Sequence, residues 1–278
     1  MKEISIDNII IGLNQPLTVI AGPCVIENEE MILYTAEHLV RVCQDLPVQL
    51  IFKTSLRKAN RTSLSGFTGI HYEKALQILG NVRKKFTLPV LTDVHSELEV
   101  PVVAEIADIL QIPAFLCRQT DLLMAAGRSG KAVNIKKGQF LYPGDMEKAA
   151  EKVASTGNER ILLTERGSSF GYHNLVVDMR SPVIMSQTNY PVVYDATHSV
   201  QLPGGEGDQS GGQPEFILPL ARAAIATGAV SAVFMEVHPD PAKAMSDAKS
   251  QLRLNDFKNV LSEMIAVYST VREMRKEI

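Results

Sequence analysis

The chain has little of what would carry it out of the cell or onto a polyanion. Only three cysteines, Cys24, Cys43 and Cys117, occur among 278 residues, which gives no even disulfide framework and suits a reducing compartment. No apolar run approaches the roughly 20 residues needed to span a bilayer, so no membrane partner is expected. Residues Met1 to Asp7 hold acids and no hydrophobic core of the signal-peptide type, and secretion is not expected. A net charge of -3 argues against the basic surface that nucleic-acid binding normally requires. What is present is an ordinary globular composition with enough apolar content for a large core. The expectation is a single cytoplasmic domain over residues 1–278.

Against that background one pattern recurs. Eight short Val/Ile/Leu-rich runs end in a polar residue, separated by longer connecting segments. Leu17–Ala21 leads to Cys24, Val48–Phe52 to Lys53, and Pro89–Thr92 to Asp93. Ile109-Leu110 leads to Gln111, Ala132–Ile135 to Lys136 and Lys137, and Arg160–Thr164 to Glu165 and Arg166. Val192–Tyr194 precedes Asp195 and His198, and Ala232–Met235 precedes Glu236. Such runs read as buried parallel strands of successive βα units. Eight units fill about 250 residues, the size of an α/β fold of the (β/α)8 TIM-barrel kind, whose chemistry sits at the C-terminal strand ends. Residues 3–13 predict a short β-hairpin closing the barrel bottom. Helices are predicted over Glu29–Cys43, capped by Asn28, and over 73–86, 96–107, 120–129, 145–156, 214–228, 240–252 and 256–276. Residues 167–190 read as a mixed, non-helical insertion. The five glycines of 199–213 predict little local structure, which suits either a mobile lid or a tolerated surface loop.

The strand ends and their loops collect Lys53, Lys58, Arg61, Arg118, Lys136, Lys137 and Arg166. Asp93, Glu165 and Asp195 could compensate some of these cations. The remainder points to substrates with several anionic groups, for which Lys offers a point charge and Arg a fork. Cys24, His198, Glu236 and Asp247 form a second set. Barrel closure brings the eighth strand beside the first, and Asp247 could fold back from the last loop. Thiolate, imidazole and carboxylates together suit Fe, Zn, Mn or a similar divalent metal rather than calcium. A cysteine after a strand is more often a small buried hydrophobe, and a lone histidine is often only hydrogen-bonded. Spacing alone leaves both readings open, with His95, His173 and His238 as further ligand candidates.

The motifs extend the reading. Ala21-Gly22-Pro23-Cys24, Lys58-Ala59-Asn60-Arg61, the stretch Gln111 to Leu122, Asn134 to Phe140, Thr164-Glu165-Arg166-Gly167, Phe170-Gly171-Tyr172, Asp195 to Gln201 and Glu236-Val237-His238-Pro239 occur in order. With them the chain resembles the 3-deoxy-D-manno-octulosonate 8-phosphate synthase family along nearly its whole length. The resemblance implies condensation of phosphoenolpyruvate with D-arabinose 5-phosphate and water, releasing phosphate, in Kdo and lipopolysaccharide biosynthesis. It implies that Lys53, Lys58 and Gln111 hold the phosphoenolpyruvate carboxylate region, and that Lys136 and Arg166 hold its phosphate. Asn60, Arg61, Thr62 and Ser63 would bind arabinose 5-phosphate, and Arg118 would reach the sugar phosphate of an adjacent subunit in a homotetramer. Cys24 after Gly22-Pro23 implies the metal-dependent branch, with His198, Glu236 and Asp247 as the other ligands. Lys58 and His198 are the candidates for proton transfer.

Three departures cluster on the sugar side. Thr62 stands where Ser is commoner, Leu56-Arg57 replaces Phe-Asp, and 67–71 lacks an Arg-Gly-x-Gly stretch. They keep open a heptulosonate 7-phosphate synthase using erythrose 4-phosphate, although Lys-Ala-Asn-Arg favours the eight-carbon branch. A metal-dependent aldolase without phosphoenolpyruvate and a non-catalytic metabolite-binding barrel are the remaining alternatives.

Overall fold

The computed structural model describes residues 1–59, 67–206 and 209–276. Strands β1 (Ile4–Ile6) and β2 (Ile9–Ile11) form an antiparallel hairpin. Eight parallel strands then close on themselves: β3 (Leu17–Gly22), β4 (Val48–Lys53), β5 (Val90–Asp93), β6 (Ile109–Ile112), β7 (Ala132–Lys136), β8 (Ile161–Glu165), β11 (Val192–Asp195) and β14 (Val230–His238). The β11–β14 pairing completes the ring, and β14 lies beside β3, as barrel closure requires. Between them, β9 (Ser168–Ser169) pairs with β10 (Leu175–Val176), and β12 (Gln201–Glu206) with β13 (Gln209–Gly212). A short β15 (Leu252–Arg253) extends beside β14.

Helices α1 (Glu29–Gln44), α2 (Tyr72–Phe86), α3 (Val100–Ile106), α4 (Thr120–Arg128), α5 (Met146–Ala154), α6 (Arg180–Ser186), α7 (Ile217–Ala226) and α8 (Phe257–Lys276) cover the outside. As expected, α1 is capped by Asn28, whose side chain accepts from the Met31 amide at 2.9 Å. Helix α3 is shorter than its apolar pattern because Pro101, fixed in φ and without an amide hydrogen, sits in its first turn.

Three expectations are corrected. Residues 240–252 are not a helix: the proline-bounded segment makes one turn at Pro241–Lys243 and then bends, with Asp247 at φ 48°. The insertion over 167–190 is partly helical, since it contains α6. The glycine-rich segment over 199–213 is ordered as a hairpin through its described residues rather than lacking structure.

Strand alternation divides the apolar core in two. Leu17, Val19 and Ala21 of β3 face the helices, while Ile20 faces inward. Inside, Ile20, Ile51, Leu91, Ile109, Ala132, Leu162, Val193, Ala232 and Phe234 meet Ile4, Ile6, Ile9 and Ile11 of the hairpin. The hairpin therefore plugs the barrel bottom, as its sequence predicted. Replacing the fully buried Ile11 by Ala should cost about 2–4 kcal/mol in urea unfolding, through lost transfer energy and a cavity. Ile10→Ala, on the exposed edge of the same strand, should cost under about 0.5 kcal/mol. Equal losses at the two positions would contradict the plug.

Candidate active site

The period of a strand is two, so the residue two beyond each inward apolar side chain also faces inward, one layer higher. Ile51 is followed by Lys53, Leu91 by Asp93, Ile109 by Gln111, Ala132 by Asn134 and then Lys136. Leu162 is followed by Thr164, Val193 by Asp195, and Phe234 by Glu236. All of these polar groups are buried. The layer nearest the apolar plug is neutral: Asn134 Nδ2 donates to Gln111 Oε1 at 3.0 Å, and Thr164 Oγ1 to Asn134 Oδ1 at 2.6 Å. Phe234 forms a floor between plug and site, with Lys136 Nζ 3.8 Å from its ring centroid and Lys53 Nζ 5.4 Å away.

Above that floor the charges pair. Lys53 Nζ lies 2.6 Å from Glu236 Oε1 and 3.1 Å from the Cys24 carbonyl. Lys136 Nζ lies 2.6 Å from Asp195 Oδ2, and Lys58 Nζ 3.3 Å from Asp247 Oδ2. Burial works to raise Asp195 and Glu236, but neighbouring cations outweigh it and hold both below the ordinary carboxylate range. Burial lowers Lys136. It also works to lower Lys58, yet the acidic groups around that side chain outweigh burial and push it up, so that it is held as an ammonium. Arg166 is different. Its Nη2 donates to Gln201 Oε1 at 3.0 Å, whereas Nε and Nη1 are buried with no hydrogen-bond partner among the described residues.

Three of the four expected metal ligands come together. The ligand atoms of Cys24, Glu236 and Asp247 all lie within 4.8 Å of one another. Cys24 Sγ donates to Asp247 Oδ2 at 3.0 Å. Burial, then the Asp247 and Glu236 charges, push that thiol well up. Glu236 Oε2 is a buried acceptor without a partner among the described residues. An orphaned carboxylate oxygen beside a thiol and a second carboxylate suits a divalent ion, whose binding would displace the thiol proton. His198 stands at the edge of this group. Its Nε2 is 3.6 Å from Glu236 Oε1, and its Nδ1 is 2.9 Å from Asp195 Oδ2. The Gln251 amide accepts from the Cys24 amide at 3.3 Å and donates to the Ser246 carbonyl at 2.8 Å, tying the cysteine loop to the Asp247 segment.

Other expectations fall differently. Lys137 does not join the mouth: its Nζ turns to the Gly167 carbonyl at 3.2 Å, Ser168 Oγ at 3.3 Å and Glu165 Oε1 at 3.5 Å, bracing the turn that carries Arg166. Arg118 is exposed on the loop after β6. Asn60, Arg61, Thr62 and Ser63 lie outside the described residues. His238 sits 3.5 Å from Glu27, and exposed His173 meets the Pro203 carbonyl at 2.8 Å.

Gln201 entered only as the last residue of the Asp195 to Gln201 motif, and nothing in the sequence pointed to Gln251 or to the pairing of Asp93 with His95 and Glu99. Asp93 accepts from Ser55 Oγ at 2.7 Å and lies 3.2 Å from His95 Nε2. The His95 amide donates to Glu99 at 2.8 Å, and Glu99 also pairs with Arg57. This explains one departure from the family motif: Arg57 finds its partner in Glu99, at the N-terminal cap of α3. Strand parity was the signal available for Asp93 and the motif for Gln201; Gln251 had none.

Comparison with known proteins accords with this geometry. A model of the DAHP synthetase I family matches residues 2–273. The chain is 55% identical over 269 residues to the 2-dehydro-3-deoxyphosphooctonate aldolase of Syntrophotalea carbinolica, covering 97% of each chain. It is 55% identical over 272 residues to the protein of that name from Geotalea uraniireducens, covering 98% of this chain and 100% of the relative. Against the Geobacter sulfurreducens protein of that name it is 52% identical over 271 residues, covering 98% and 99%.

The His95 network has a pH signature. Burial works to lower the imidazole, but hydrogen bonds and charges from Asp93 and Glu99 outweigh it and push it up to about 9. A raised histidine contributes fully below its ordinary 6.5 and loses its contribution as pH rises through about 9. Across that window the native protein should lose up to about 3 kcal/mol more unfolding free energy than His95→Gln. Parallel urea curves for the two proteins at every pH would contradict the assignment.

Proposed function

The chain belongs to the DAHP synthetase I family, and from that premise we propose that it condenses phosphoenolpyruvate with D-arabinose 5-phosphate and water, forming 3-deoxy-D-manno-octulosonate 8-phosphate and inorganic phosphate. The observation that carries this reading at the site is Arg166. Each of the lysines Lys53, Lys58 and Lys136 has a carboxylate beside it, whereas Arg166 keeps two buried nitrogens without a hydrogen-bond partner among the described residues. Asp195, Asp247, Glu165 and Glu236 act on the guanidinium charge from a distance, but leaving two of its donors without a hydrogen bond in a desolvated site is costly. A phosphate oxygen pair is the natural occupant of the open guanidinium edge.

With the phosphate on Arg166 and Lys136, the carboxylate of phosphoenolpyruvate falls to Lys53, Lys58 and Gln111. The methylene carbon attacks the sugar aldehyde, forming the new C–C bond. Water adds to the carbon that carried the enol oxygen, and breaking of that carbon's bond to the phosphate oxygen releases phosphate. Preorganised cations meet the developing charge without reorganising solvent. Lys58, held as an ammonium, is suited to meet the charge that develops on the aldehyde oxygen and is the first candidate for proton transfer there. His198, oriented by Asp195 at Nδ1, presents Nε2 toward Glu236 and is the second proton carrier. Cys24, Glu236 and Asp247, with His198 at their edge, would hold a divalent metal such as Fe, Zn or Mn. Bound there, such an ion supplies Lewis-acid polarisation and orientation of an oxygen ligand.

Asn60, Arg61, Thr62 and Ser63 are assigned to the sugar phosphate on the motif alone. The exposed Phe115, Phe140, Phe170 and Tyr172 support a homotetramer, in which Arg118 reaches a neighbouring site. Among the described residues no helix is long and apolar enough to cross a membrane, and all three cysteines are free thiols. The free thiols suit the reducing compartment in which we place this enzyme of the Kdo and lipopolysaccharide pathway, the cytoplasm.

Following phosphoenolpyruvate absorbance tests the reaction and the role of Arg166 together. Turnover should require arabinose 5-phosphate and be far slower with erythrose 4-phosphate; the reverse preference would make the chain a heptulosonate synthase. Arg166→Ala should lower kcat/KM for phosphoenolpyruvate on the order of 100-fold, and Arg166→Lys, which keeps the charge but not the fork, by less. Unchanged kinetics in Arg166→Ala would sink its assignment.

A further inference from the structure

One buried side chain touches both halves of the site. Gln201 Oε1 accepts from Arg166 Nη2 at 3.0 Å, and its Nε2 donates to Asp247 Oδ1 at 3.1 Å. Nε2 also lies 3.5 Å from Ser250 Oγ. A guanidinium only donates and a carboxylate only accepts, so the two partners fix which end of the amide faces which. Each contact polarises the amide in the sense that strengthens the other.

The backbone reinforces this link. Gln201 opens β12 and pairs with Gly212 of β13. A Cβ on Gly212 would stand 2.5 Å from the Lys249 carbonyl oxygen, so the base of the hairpin rests directly on the segment that carries Asp247. Asp247 itself holds a left-handed φ of 48°, a conformation that persists only when its surroundings impose it. Cys24 and Lys58 engage its Oδ2. Gln201 engages its Oδ1.

We propose that Gln201 is a positioning residue that couples the anion pocket at Arg166 to the metal-ligand set at Asp247, so that filling either favours filling the other. This rests on the reading of the two sites given above. An anion on the open edge of Arg166 fixes the guanidinium, which fixes the amide, which holds Asp247 in its ligating position. The second ligand then meets a side chain whose ordering cost has already been met. Reciprocity is required: the factor by which phosphoenolpyruvate tightens the metal is the factor by which the metal tightens phosphoenolpyruvate.

Cadmium is the probe, because its thiolate complex with Cys24 absorbs in the ultraviolet without any turnover. Cadmium affinity is measured with and without saturating phosphoenolpyruvate, and phosphoenolpyruvate affinity by calorimetry with and without cadmium. The native protein should show a coupling factor on the order of 10-fold, equal in both directions. Gln201→Met, similar in length but without an amide, should still fill each site alone and lose most of that factor. Gln201→Asn, an amide one methylene too short to span both partners, should lose it as well, and decides the matter if the methionine variant does not fold. A factor unchanged in the variants, or a native factor of one, would overturn the coupling while leaving both sites standing. Failure of the native protein to bind either ligand would overturn the reading of the sites, and the coupling with it.

Discussion

Lys53 and Glu236 meet at 2.6 Å with side chains 2% and 1% exposed, on top of the apolar plug that fills the lower barrel. Two full charges in so dry a place are tolerated only if each is met from several sides. Lys53 is met by the Cys24 carbonyl as well as the carboxylate, and Glu236 feels Lys58, Lys136 and His198. Removing one member of such a pair strands its partner, which typically costs about 3–5 kcal/mol. The pair is therefore poor evidence for stability and good evidence for function. A core of similar volume in Val and Leu would be easier to build; this one is kept ready for charged ligands.

The same constraint orders the rest of the mouth. The Cys24 thiol and the carboxylates of Glu236 and Asp247, with Lys58 on Asp247, line one sector, and Lys136, paired with Asp195, and Arg166 line the other. A divalent ion fits the first sector and a phosphate the second. The layer beneath, Gln111, Asn134 and Thr164, is neutral and linked by hydrogen bonds, which separates the plug from the charges above while leaving the Gln111 amide nitrogen for substrate. The machinery depends on one-residue register: slipping any strand by one would bury its charge against the helices and expose an apolar side chain to substrate.

Much of this was legible in the sequence because parallel strands buried on both faces leave a strong signature. The apolar runs gave the eight strands, and the polar residues at their ends gave Lys53, Asp93, Gln111, Lys136, Arg166, Asp195 and Glu236. Ile4, Ile6, Ile9 and Ile11 alternate around Asp7-Asn8 and gave the plug. What the sequence did not carry were positions decided by tertiary contact. Pro239 and Pro241 warn against a regular helix over 240–252, yet the left-handed turn at Asp247 is held by Cys24, Lys58 and Gln201, all distant in sequence, and by Ser250 within its own segment. Lys137 differs from Lys136 only by strand parity, and parity sends it away from the mouth. The five glycines after His198 looked like a structureless loop, but Gly212 is demanded by close packing against Lys249. Gln251 resembles any surface glutamine until the fold surrounds it, and the motif that ends at Gln201 carries no sign of its two partners.

The division of the mouth into a cation-binding and an anion-binding sector is the central claim, and one experiment sees both at once. A crystal grown with cadmium and phosphoenolpyruvate would show the metal by its anomalous scattering and the phosphate by its density. The account predicts one strong anomalous peak in coordinating contact with Cys24 Sγ and the carboxylates of Glu236 and Asp247. It places the phosphate against Lys136 and the open edge of Arg166. A metal bound away from Cys24, or a phosphate that leaves Arg166 without an anionic partner, would contradict it.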